Sequence, residues 1–351
     1  MARTRIGVIG AGWWATESHI PVLQALPDVE VTCICGLEPE HLRKVQLKFG
    51  IPYVTQDYKE LLSRKDVDGV VVSSPHALHY QHASAALERG FPVLCEKPMA
   101  LSASEAKALA DLVEAKGLPF LIPYGWNYSS LSTLGRKAIE DGDVGEIEHV
   151  LCHMGSPLRD LLSGTGAWVA EKSMFTPNQG TWSDVSTGGG FANGQLTHAL
   201  GLMLWITGLQ ASQVFAMVGR SESGSDLYNS ISCRFTNGAT RMLGGAGTMP
   251  RQSPFQVDIR IFGNKGMVVL DVERPRFEIY RNDGTSVSTD PCRTSGSYEC
   301  VEPLKTFVEL IQGKAVENRS PVWLGKRVVD ILDAALRSAN TGIVETIARV
   351  A

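Results

Sequence analysis

The stretch that decides the fold reads Arg5-Ile6-Gly7-Val8-Ile9-Gly10-Ala11-Gly12-Trp13-Trp14-Ala15. Residues 5–9 form an apolar run that predicts a strand, and a helical pattern follows the turn. The spacing Gly10-x-Gly12-x-x-Ala15 suits a dinucleotide, because the first glycine bends the chain, the second admits a pyrophosphate and the small third residue lets helix and strand pack closely. The motif therefore predicts dinucleotide binding, with a purely structural turn as the alternative. Trp13 and Trp14 fill its open positions and are expected to line the cofactor.

Strands and helices alternate regularly after this motif, with further strands predicted at residues 29–35, 67–73, 91–95 and 119–123. Such alternation is typical of βαβ units and a parallel sheet. Six alternating runs between residues 212 and 281, several joined by tight turns, predict a largely antiparallel sheet instead. We therefore predict an α/β protein with an N-terminal Rossmann dinucleotide-binding domain over residues 1–123. A C-terminal α/β domain with a large, mostly antiparallel open sheet is expected over residues 124–351.

The composition bounds the function classes. The chain has 351 residues, a mass of 38.0 kDa and a formal net charge of −4. No dense basic run is present in the sequence, so a dedicated nucleic-acid binder is disfavoured. The sequence shows neither a signal peptide nor a run of ~20 apolar residues, so neither secretion nor a membrane span is expected. The seven cysteines are odd in number and lack a Cys-x-x-Cys pair, which predicts a reduced cytoplasmic protein without a metal site.

The end of the second predicted strand bears on the choice between NAD and NADP. An acidic residue normally stands there for the ribose hydroxyls of NAD. This chain has Gly36 instead, followed two residues later by Glu38. Glu38 either reaches the ribose or caps the next helix at Pro39, and the nearest cations, Arg43 and Lys44, are either phosphate ligands or solvated charges. The cofactor is therefore predicted as NAD or NADP.

Two more motifs follow strands of the predicted parallel sheet. Ser74-Pro75-His76-x-x-His79 follows the third strand, and Glu96-Lys97 follows the fourth. Parallel strands bring their carboxyl ends to one edge, where such sheets bind ligands, so all six residues are candidate cofactor contacts. The alternative for the histidines is an exposed position on a helix that begins at a proline.

These motifs, in this order, resemble the glucose–fructose oxidoreductase and inositol dehydrogenase family, also called Gfo/Idh/MocA. The resemblance extends through Glu96-Lys97-Pro98 and Gly188-Gly189-Gly190, followed by His198, to Arg337-Ser338-Ala339-x-x-Gly342. It covers nearly the whole chain. It implies a Rossmann domain, a second domain with a large open sheet, and NAD(P)-dependent oxidation or reduction of a sugar, polyol or related carbonyl compound.

The resemblance also implies a catalytic pair. Lys97 matches the family's motif lysine, which lies between cofactor and substrate and whose ammonium can polarise the reacting oxygen. Burial beside the nicotinamide should lower the pKa of this lysine, and the Lys97–Pro98 peptide is a candidate cis bond. His198 matches the family's acid/base histidine. The alternatives are a surface turn for Lys97 and a core position for His198, whose predicted helix is otherwise apolar.

One position departs from the family pattern. An aspartate usually stands one helical turn before the histidine, and this chain has Gly194 there, followed by Gln195. Gln195 can share the face of His198 and bind a substrate hydroxyl, but it cannot carry a charge. Asp184 is a candidate for supplying the missing carboxylate.

Further substrate contacts are expected from two segments. Asn127 follows the fifth predicted strand and is a candidate for the nicotinamide carboxamide or a substrate hydroxyl. The long loop over residues 154–190 carries Trp168 and Trp182. Their rings suit stacking on a sugar face, and the alternative is an aromatic cluster that packs under the loop.

The first prediction is therefore an NAD(P)-dependent oxidoreductase that transfers a hydride between nicotinamide and a hydroxyl-bearing carbon of a sugar, cyclic polyol or glycoside. Two alternatives stay open: a non-catalytic dinucleotide-binding regulatory homologue, and an NAD-recycling enzyme that cleaves glycosides through a 3-keto intermediate. The resemblance also implies a homodimer or homotetramer built on the open sheet. The outer face of that sheet is expected to carry Val257, Ile259 and Ile261, or their alternating neighbours.

Overall fold

The computed structural model describes residues 3–166, 173–289 and 296–348. The first third of the chain forms a six-stranded parallel sheet in the order β3-β2-β1-β4-β5-β6. Its strands are β1 Thr4–Ile9, β2 Val29–Cys35, β3 Tyr53–Thr55, β4 Gly69–Val72, β5 Val93–Cys95 and β6 Phe120–Leu121. The strand order reverses between β1 and β4, so their carboxyl ends flank the crevice in which such sheets bind ligands.

Apolar clusters cover this sheet on both faces, and all four residues of β4 are buried, as the continuous valine run predicts. The helices around it are α1 Ile20–Ala25, α2 Pro39–Phe49, α3 Tyr58–Leu62, α4 His79–Glu88 and α5 Ala103–Lys116. α5 begins at the expected cap, because Ser102 accepts a hydrogen bond from the amide of Glu105 at 3.2 Å.

The second sheet has nine strands in the order β14-β13-β12-β11-β7-β10-β9-β8-β15. Neighbouring strands are antiparallel except for β7 and β10, which run parallel. The strands are β7 Ile147–Gly155, β8 Ala211–Arg220, β9 Asp226–Phe235, β10 Thr240–Ala246, β11 Gln256–Gly263, β12 Gly266–Asp271, β13 Arg276–Arg281, β14 Ser286–Ser288 and β15 Glu345–Thr346. The predicted fold class, a Rossmann sheet followed by a mostly antiparallel sheet, is confirmed.

The helices of this second part are α6 Ser130–Glu140, α7 Arg159–Ser163, α8 Gln179–Ser183, α9 Thr197–Thr207, α10 Val301–Ile311 and α11 Val322–Thr341. The sequence analysis missed β3, α3, α7, α8, β14 and β15, because two to five residues are too few to show a period. The equally short β5 and β6 were predicted from their place in the strand–helix alternation. In the described ranges no helix is long and apolar enough to span a membrane, and no three His, Cys, Asp or Glu side chains cluster as metal ligands would.

Two π-helical turns interrupt helical segments that the sequence predicts as regular. The first is Ala15–His19, after the glycine motif. The second is Ala192–Leu196, directly before α9, whose second residue is His198. Such turns are rare and occur frequently at functional sites. Both lie next to the crevice at the carboxyl edge of the parallel sheet.

The predicted outer face of the second sheet needs a correction. Val257, Ile259 and Ile261 are buried in the core, each at most 2% exposed. Their alternating neighbours on β11 therefore point outward, and these include Asp258 and Arg260, which form an ion pair. The expectation that Val257, Ile259 and Ile261 lie on the outer face was wrong, because these alternate residues of β11 face the core.

Packing crosses the domain boundary that the sequence predicts between residues 123 and 124. α10 lies on the first sheet, where Leu304, Phe307 and Val308 join the core cluster that contains the inner residues of β1. Gln312 at the end of α10 donates a hydrogen bond to Thr4 at 2.9 Å. The last fifth of the chain thus helps to fix the sheet that holds the glycine motif.

Candidate active site

A cavity of about 1230 Å³ lies between the carboxyl edge of the parallel sheet and the second sheet. This volume exceeds the ~300–1,000 Å³ that single small ligands usually occupy. The glycine motif lines one end, residues of β11 and the segment after β12 line the other, and Lys97 and His198 line the cavity too. The space therefore suits a dinucleotide together with a second, smaller molecule.

The glycine motif has the geometry that a pyrophosphate requires. Gly10 has φ +112°, and a Cβ there would lie 2.3 Å from the carbonyl oxygen of Ser73, so glycine is needed. A Cβ at Gly12 would meet nothing within 4 Å, because the backbone there borders open space. Trp13 and Trp14 line the cavity, with ring centroids 5.3 Å apart. These residues fit a nicotinamide dinucleotide.

At the adenosine end, the residues that follow β2 include Gly36 and one acid, Glu38. A side chain at Gly36 would press on Ala11, since a Cβ would lie 2.8 Å from that of Ala11. Glu38 lines the cavity and begins α2 without a capping hydrogen bond, and it forms an ion pair with His41 at 2.8 Å. The His41 ring stacks on Phe175 with centroids 4.2 Å apart. A residue from the long loop thus reaches the adenosine end of the cavity.

The Ser-Pro-His motif links the turn after β4 to two other segments. Ser74, Pro75, His76 and His79 all line the cavity. The His79 ring lies between two carbonyl oxygens, Ser74 O at 2.6 Å and Pro98 O at 2.7 Å. His76 lies 3.2 Å from the carbonyl oxygen of Gly188, and burial, with the nearby His79, lowers the pKa of His76 to about 3. These two histidines are buried and hold the motif in place, rather than lying exposed on a helix.

Glu96 is a buried anion with a buried partner. Its Oε1 lies 2.9 Å from Nε2 of His19, and its Oε2 accepts the amide of Lys97 at 3.1 Å. Burial raises the pKa of Glu96, but the His19 hydrogen bond and nearby cations outweigh that and hold the pKa at about 2. Glu96 therefore stays ionised and fixes the peptide that precedes the Lys97 side chain.

Lys97 reaches across the cavity to the second part of the chain. Its Nζ donates to the carbonyl oxygen of Gly194 at 2.7 Å and lies 5.4 Å from the centroid of the Trp182 ring. Burial lowers the pKa of Lys97 to about 8, against the opposing charge of Glu96. The Lys97–Pro98 peptide is cis, so that prediction is confirmed. The first π-helical turn, through His19, holds Glu96, and the second, through Gly194, holds Lys97.

The geometry around His198 indicates which ring nitrogen carries the proton. The Tyr298 hydroxyl donates its single hydrogen to the carbonyl oxygen of Pro123 at 2.7 Å and lies 3.3 Å from Nδ1 of His198. The Tyr298 oxygen must then accept from Nδ1–H of His198. Nε2 is left unprotonated and able to take a proton. Burial, with the charge of Lys97, lowers the pKa of His198 well below its usual value, so the ring is neutral near pH 7.

An aromatic ring occupies the space where the family pattern has an aspartate. A Cβ at Gly194 would lie 2.6 Å from a ring carbon of Trp182, so a larger residue at 194 and this indole exclude each other. Trp182 also contacts the His76 ring edge-on, with centroids 5.7 Å apart. Gln195 is half-buried and lines the same cavity. The side of the site expected to be anionic is therefore aromatic and neutral.

Two predicted substrate contacts, Asn127 and Asp184, do not lie in the site, and a third cannot be placed. Asn127 is fully buried, donates to the carbonyl oxygen of Arg319 at 3.0 Å and does not line the cavity, because its side chain turns toward residues 319–320. Asp184 is exposed, and its carboxylate accepts from the amide and hydroxyl of Ser186, so it does not replace the missing carboxylate. Trp168 lies outside the described residues.

Several site residues escaped the sequence analysis. Tyr298, His19 and Phe175 approach the site from segments without a recognisable motif. The hydrogen-bond partners of Tyr298 and His19 lie at least 77 residues away along the chain, so no local spacing reveals these contacts. The local sequence gives two hints of the site: the glycine run before His198, and His19 at the end of the first π-helical turn.

Comparisons with known proteins identify the family of both parts of the chain. The family model described as the oxidoreductase family with an NAD-binding Rossmann fold matches residues 4–124. The model of the GFO/IDH/MocA C-terminal domain matches residues 134–269. Together the two models span most of the chain.

The individual relatives are distant. The uncharacterized oxidoreductase YrbE of Bacillus subtilis (strain 168) is 24% identical over 277 residues, which are 77% of this chain and 74% of that protein. Levoglucosan dehydrogenase of Pseudarthrobacter phenanthrenivorans is 27% identical over 199 residues, so the match spans 53% of this chain and 49% of that protein. A structure of levoglucosan dehydrogenase in complex with NADH and L-sorbose superposes with a TM-score of 0.79 at 21% identity, covering 100% of both chains. At this identity the superposition shows a shared fold.

Proposed function

Because the chain belongs to the Gfo/Idh/MocA family of oxidoreductases and carries its NAD-binding Rossmann domain, we propose that it transfers a hydride between nicotinamide and a hydroxyl-bearing carbon of a sugar, cyclic polyol or glycoside. The observation that carries the proposal is the meeting of Lys97 and His198 in one cavity with the glycine motif. Lys97 reaches the carbonyl of Gly194, one helical turn before His198.

The two residues have separate roles in this proposal. The bound dinucleotide supplies the hydride acceptor or donor. Lys97 keeps two N–H groups beyond its bond to Gly194, and one of them donates to the reacting oxygen and polarises it. In the oxidative direction, the hydroxyl proton passes to Nε2 of His198, which the Tyr298 contact leaves free of a proton.

The contacts that hold Lys97 and His198 in place support a preorganised site. Glu96 fixes the Lys97 backbone, and the Gly194 carbonyl fixes its ammonium. Tyr298 is a positioning residue, since it acts on the reacting atoms only through His198. Such fixed geometry is what proton transfer requires, because the donor and acceptor must meet within hydrogen-bond distance.

A cofactor-reduction assay over sugars, inositols and glycosides, with product identification, tests the proposal. We expect NADH to form with at least one neutral carbohydrate and an oxidised sugar to appear with it. Tight NAD binding without turnover of any compound would support the non-catalytic homologue instead. A cleaved glycoside without net NADH would support the NAD-recycling alternative.

We also propose that the chain assembles through the outer face of its second sheet. Met217, Tyr228, Met242 and Tyr280 are each at least 43% exposed there, on strands β8, β9, β10 and β13. Exposed apolar side chains grouped on one face are typical of a partner surface. The serine and arginine residues between them make this face mixed rather than uniformly apolar.

Light scattering tests the assembly, since a monomer has a mass of 38.0 kDa. We expect a multiple of this mass at micromolar concentration, and Met242→Asp should reduce it. Leu47→Asp is the matched control, because Leu47 is 75% exposed on α2, away from the sheet. A monomeric wild-type chain would contradict the proposal.

A cytoplasmic location is proposed as well, supported by free thiols at all six described cysteines, and cell fractionation tests it.

A further inference from the structure

The end of the cavity beyond Lys97 and His198 is mainly apolar. Five apolar side chains line it, from α7 and the residue before it, from β11 and the residue before it, and from the residue after β12. We name these side chains the apolar wall: Leu158, Leu161, Phe255, Val257 and Val272. From this wall, and resting on the function proposed above, we infer that the substrate is a neutral glycoside with an apolar aglycone, and that the wall binds the aglycone.

The wall is a fixed part of the fold. Leu158, Leu161, Val257 and Val272 are each at most 6% exposed. The amide of Leu158 donates to the carbonyl of Gly247 at 3.1 Å, and the amide of Val272 to that of Val257 at 2.9 Å. A preformed apolar surface of this kind binds apolar groups well, because it needs no ordering on binding.

The polar groups of this end are enough for one hydroxylated ring. They include Lys97, Gln195, His198, Glu273, Ser297 and Tyr298, and Thr181 beside Trp182 also lines the cavity. A second sugar ring placed against the wall would leave its hydroxyls without partners, which is costly in a buried site. An aromatic or alicyclic group on the anomeric oxygen needs no such partners.

The charges of the cavity disfavour an anionic substituent. Of the described residues that line it, Lys97 is the one lysine or arginine, and in the proposed mechanism its ammonium serves Gly194 and the reacting oxygen, so no second cation is left for an anionic substituent. Glu273 contributes the opposite charge at the same end. A phosphate, uronate or nucleoside diphosphate would therefore lose its hydration without gaining a cationic partner.

The aromatic side of the reacting centre fits the same substrate class. The Trp182 ring occupies the space beside Gly194, and the Lys97 ammonium lies over this ring. Trp126 lines the cavity and is held by a hydrogen bond from its indole N–H to the carbonyl of Gly296 at 3.2 Å. The sugar ring is thus expected between the two indoles and the catalytic pair, with its aglycone on the wall.

Paired phenyl and methyl β-glycosides of glucose, galactose and xylose test the inference. We expect kcat/KM for the phenyl member of the oxidised pair to exceed that for the methyl member by about tenfold or more, mainly through KM, since even one methylene in an apolar pocket can discriminate by about 10–200-fold. Phe255→Ala and Val257→Thr should remove most of this preference, measured as the phenyl-to-methyl ratio of kcat/KM within each variant. Val268→Thr is the matched control, because Val268 is a buried strand valine that does not line the cavity.

Calorimetric binding of the same glycosides to the full chain with NADH gives the comparison without turnover. If no sugar, inositol or glycoside is oxidised, the proposed function fails, and the binding ratio still decides whether the wall binds an apolar aglycone. Phenyl glycosides that bind about tenfold tighter than methyl glycosides support it. Equal binding, binding of neither, or tighter binding of a nucleotide sugar such as UDP-glucose overturns it.

Discussion

The two ends of the cavity recognise their ligands by different means. The cofactor end is built from backbone and short motifs within residues 10–97, where Gly10 and Gly12 create a shaped space. The other end is built from single side chains of seven separate segments between residues 126 and 298. The difference teaches that a short local motif is enough to bind the cofactor, whereas binding of the second ligand depends on side chains that tertiary packing brings together. Lys97 lies where the two ends meet.

The largest effect is expected from the catalytic pair, because it serves both ends. Lys97→Ala and His198→Ala should each lower kcat by about 10²–10⁴-fold, the usual worth of general acid–base help. Dinucleotide affinity, measured by fluorescence titration, should stay within a few fold. The double variant should be little worse than the poorer single one, since the residues act as a unit. Near-native turnover of His198→Ala at every pH would remove the histidine from the mechanism.

Gly12→Val should break the cofactor end alone. Its side chain would enter the open space meant for pyrophosphate, so dinucleotide affinity should fall by about a hundredfold or more, roughly 2.7 kcal/mol. The thermal midpoint without cofactor should not change, because a Cβ at Gly12 meets no protein atom. Retained affinity would show that the pyrophosphate lies elsewhere.

The pH profile sharpens the role of Lys97 at the junction. Burial lowers the pKa of Lys97 to about 8, so its positive charge is present below that pH and is lost above it. We therefore expect kcat/KM to fall by about tenfold for each pH unit above 8. Lys97→Arg should abolish this decline at a lower maximal rate, because arginine stays charged. An unchanged alkaline decline in the arginine variant would assign it to another group.

Tyr298→Phe tests how the second end orients His198. Loss of one neutral hydrogen bond should lower kcat by about fivefold, roughly 1 kcal/mol, with KM unchanged. The acidic limb of the pH profile should also shift, because the imidazole is no longer held in one tautomer. Tyr53→Phe is the matched control on the edge strand β3. An unchanged profile would leave Tyr298 with a packing role only.

The smallest effect concerns the adenosine end. Discrimination against NADP should be modest, since Gly36 carries no acid, and Glu38→Gln should change the NAD/NADP affinity ratio by less than about tenfold, or 1.4 kcal/mol. Glu38 is well exposed, so solvent screens its charge. Titration of both cofactors measures the ratio, with the exposed Glu40→Gln as control. A wild-type preference for NAD above about a hundredfold would mean that Glu38 reads the ribose.

Prediction from the sequence was strongest where function rests on contiguous residues. The strand before Gly10, the valine run of β4 and the cis peptide before Pro98 were all foreseen. It failed at Asn127, whose place after a predicted strand suggested the cleft although its side chain turns to residues 319–320. It also failed for β11, where alternation gave two faces but not which one meets the helices.

The sequence by itself determined the glycine motif, the lysine after β5 and the order of the two sheets, because each follows from local spacing. Only the tertiary structure decided that Tyr298 orients His198, that Trp182 occupies the space beside Gly194, and that an apolar wall closes the far end. These contacts join residues far apart in the chain. Their partners are chosen by how the second sheet and its loops pack over the first, and such packing leaves no periodic trace in the sequence.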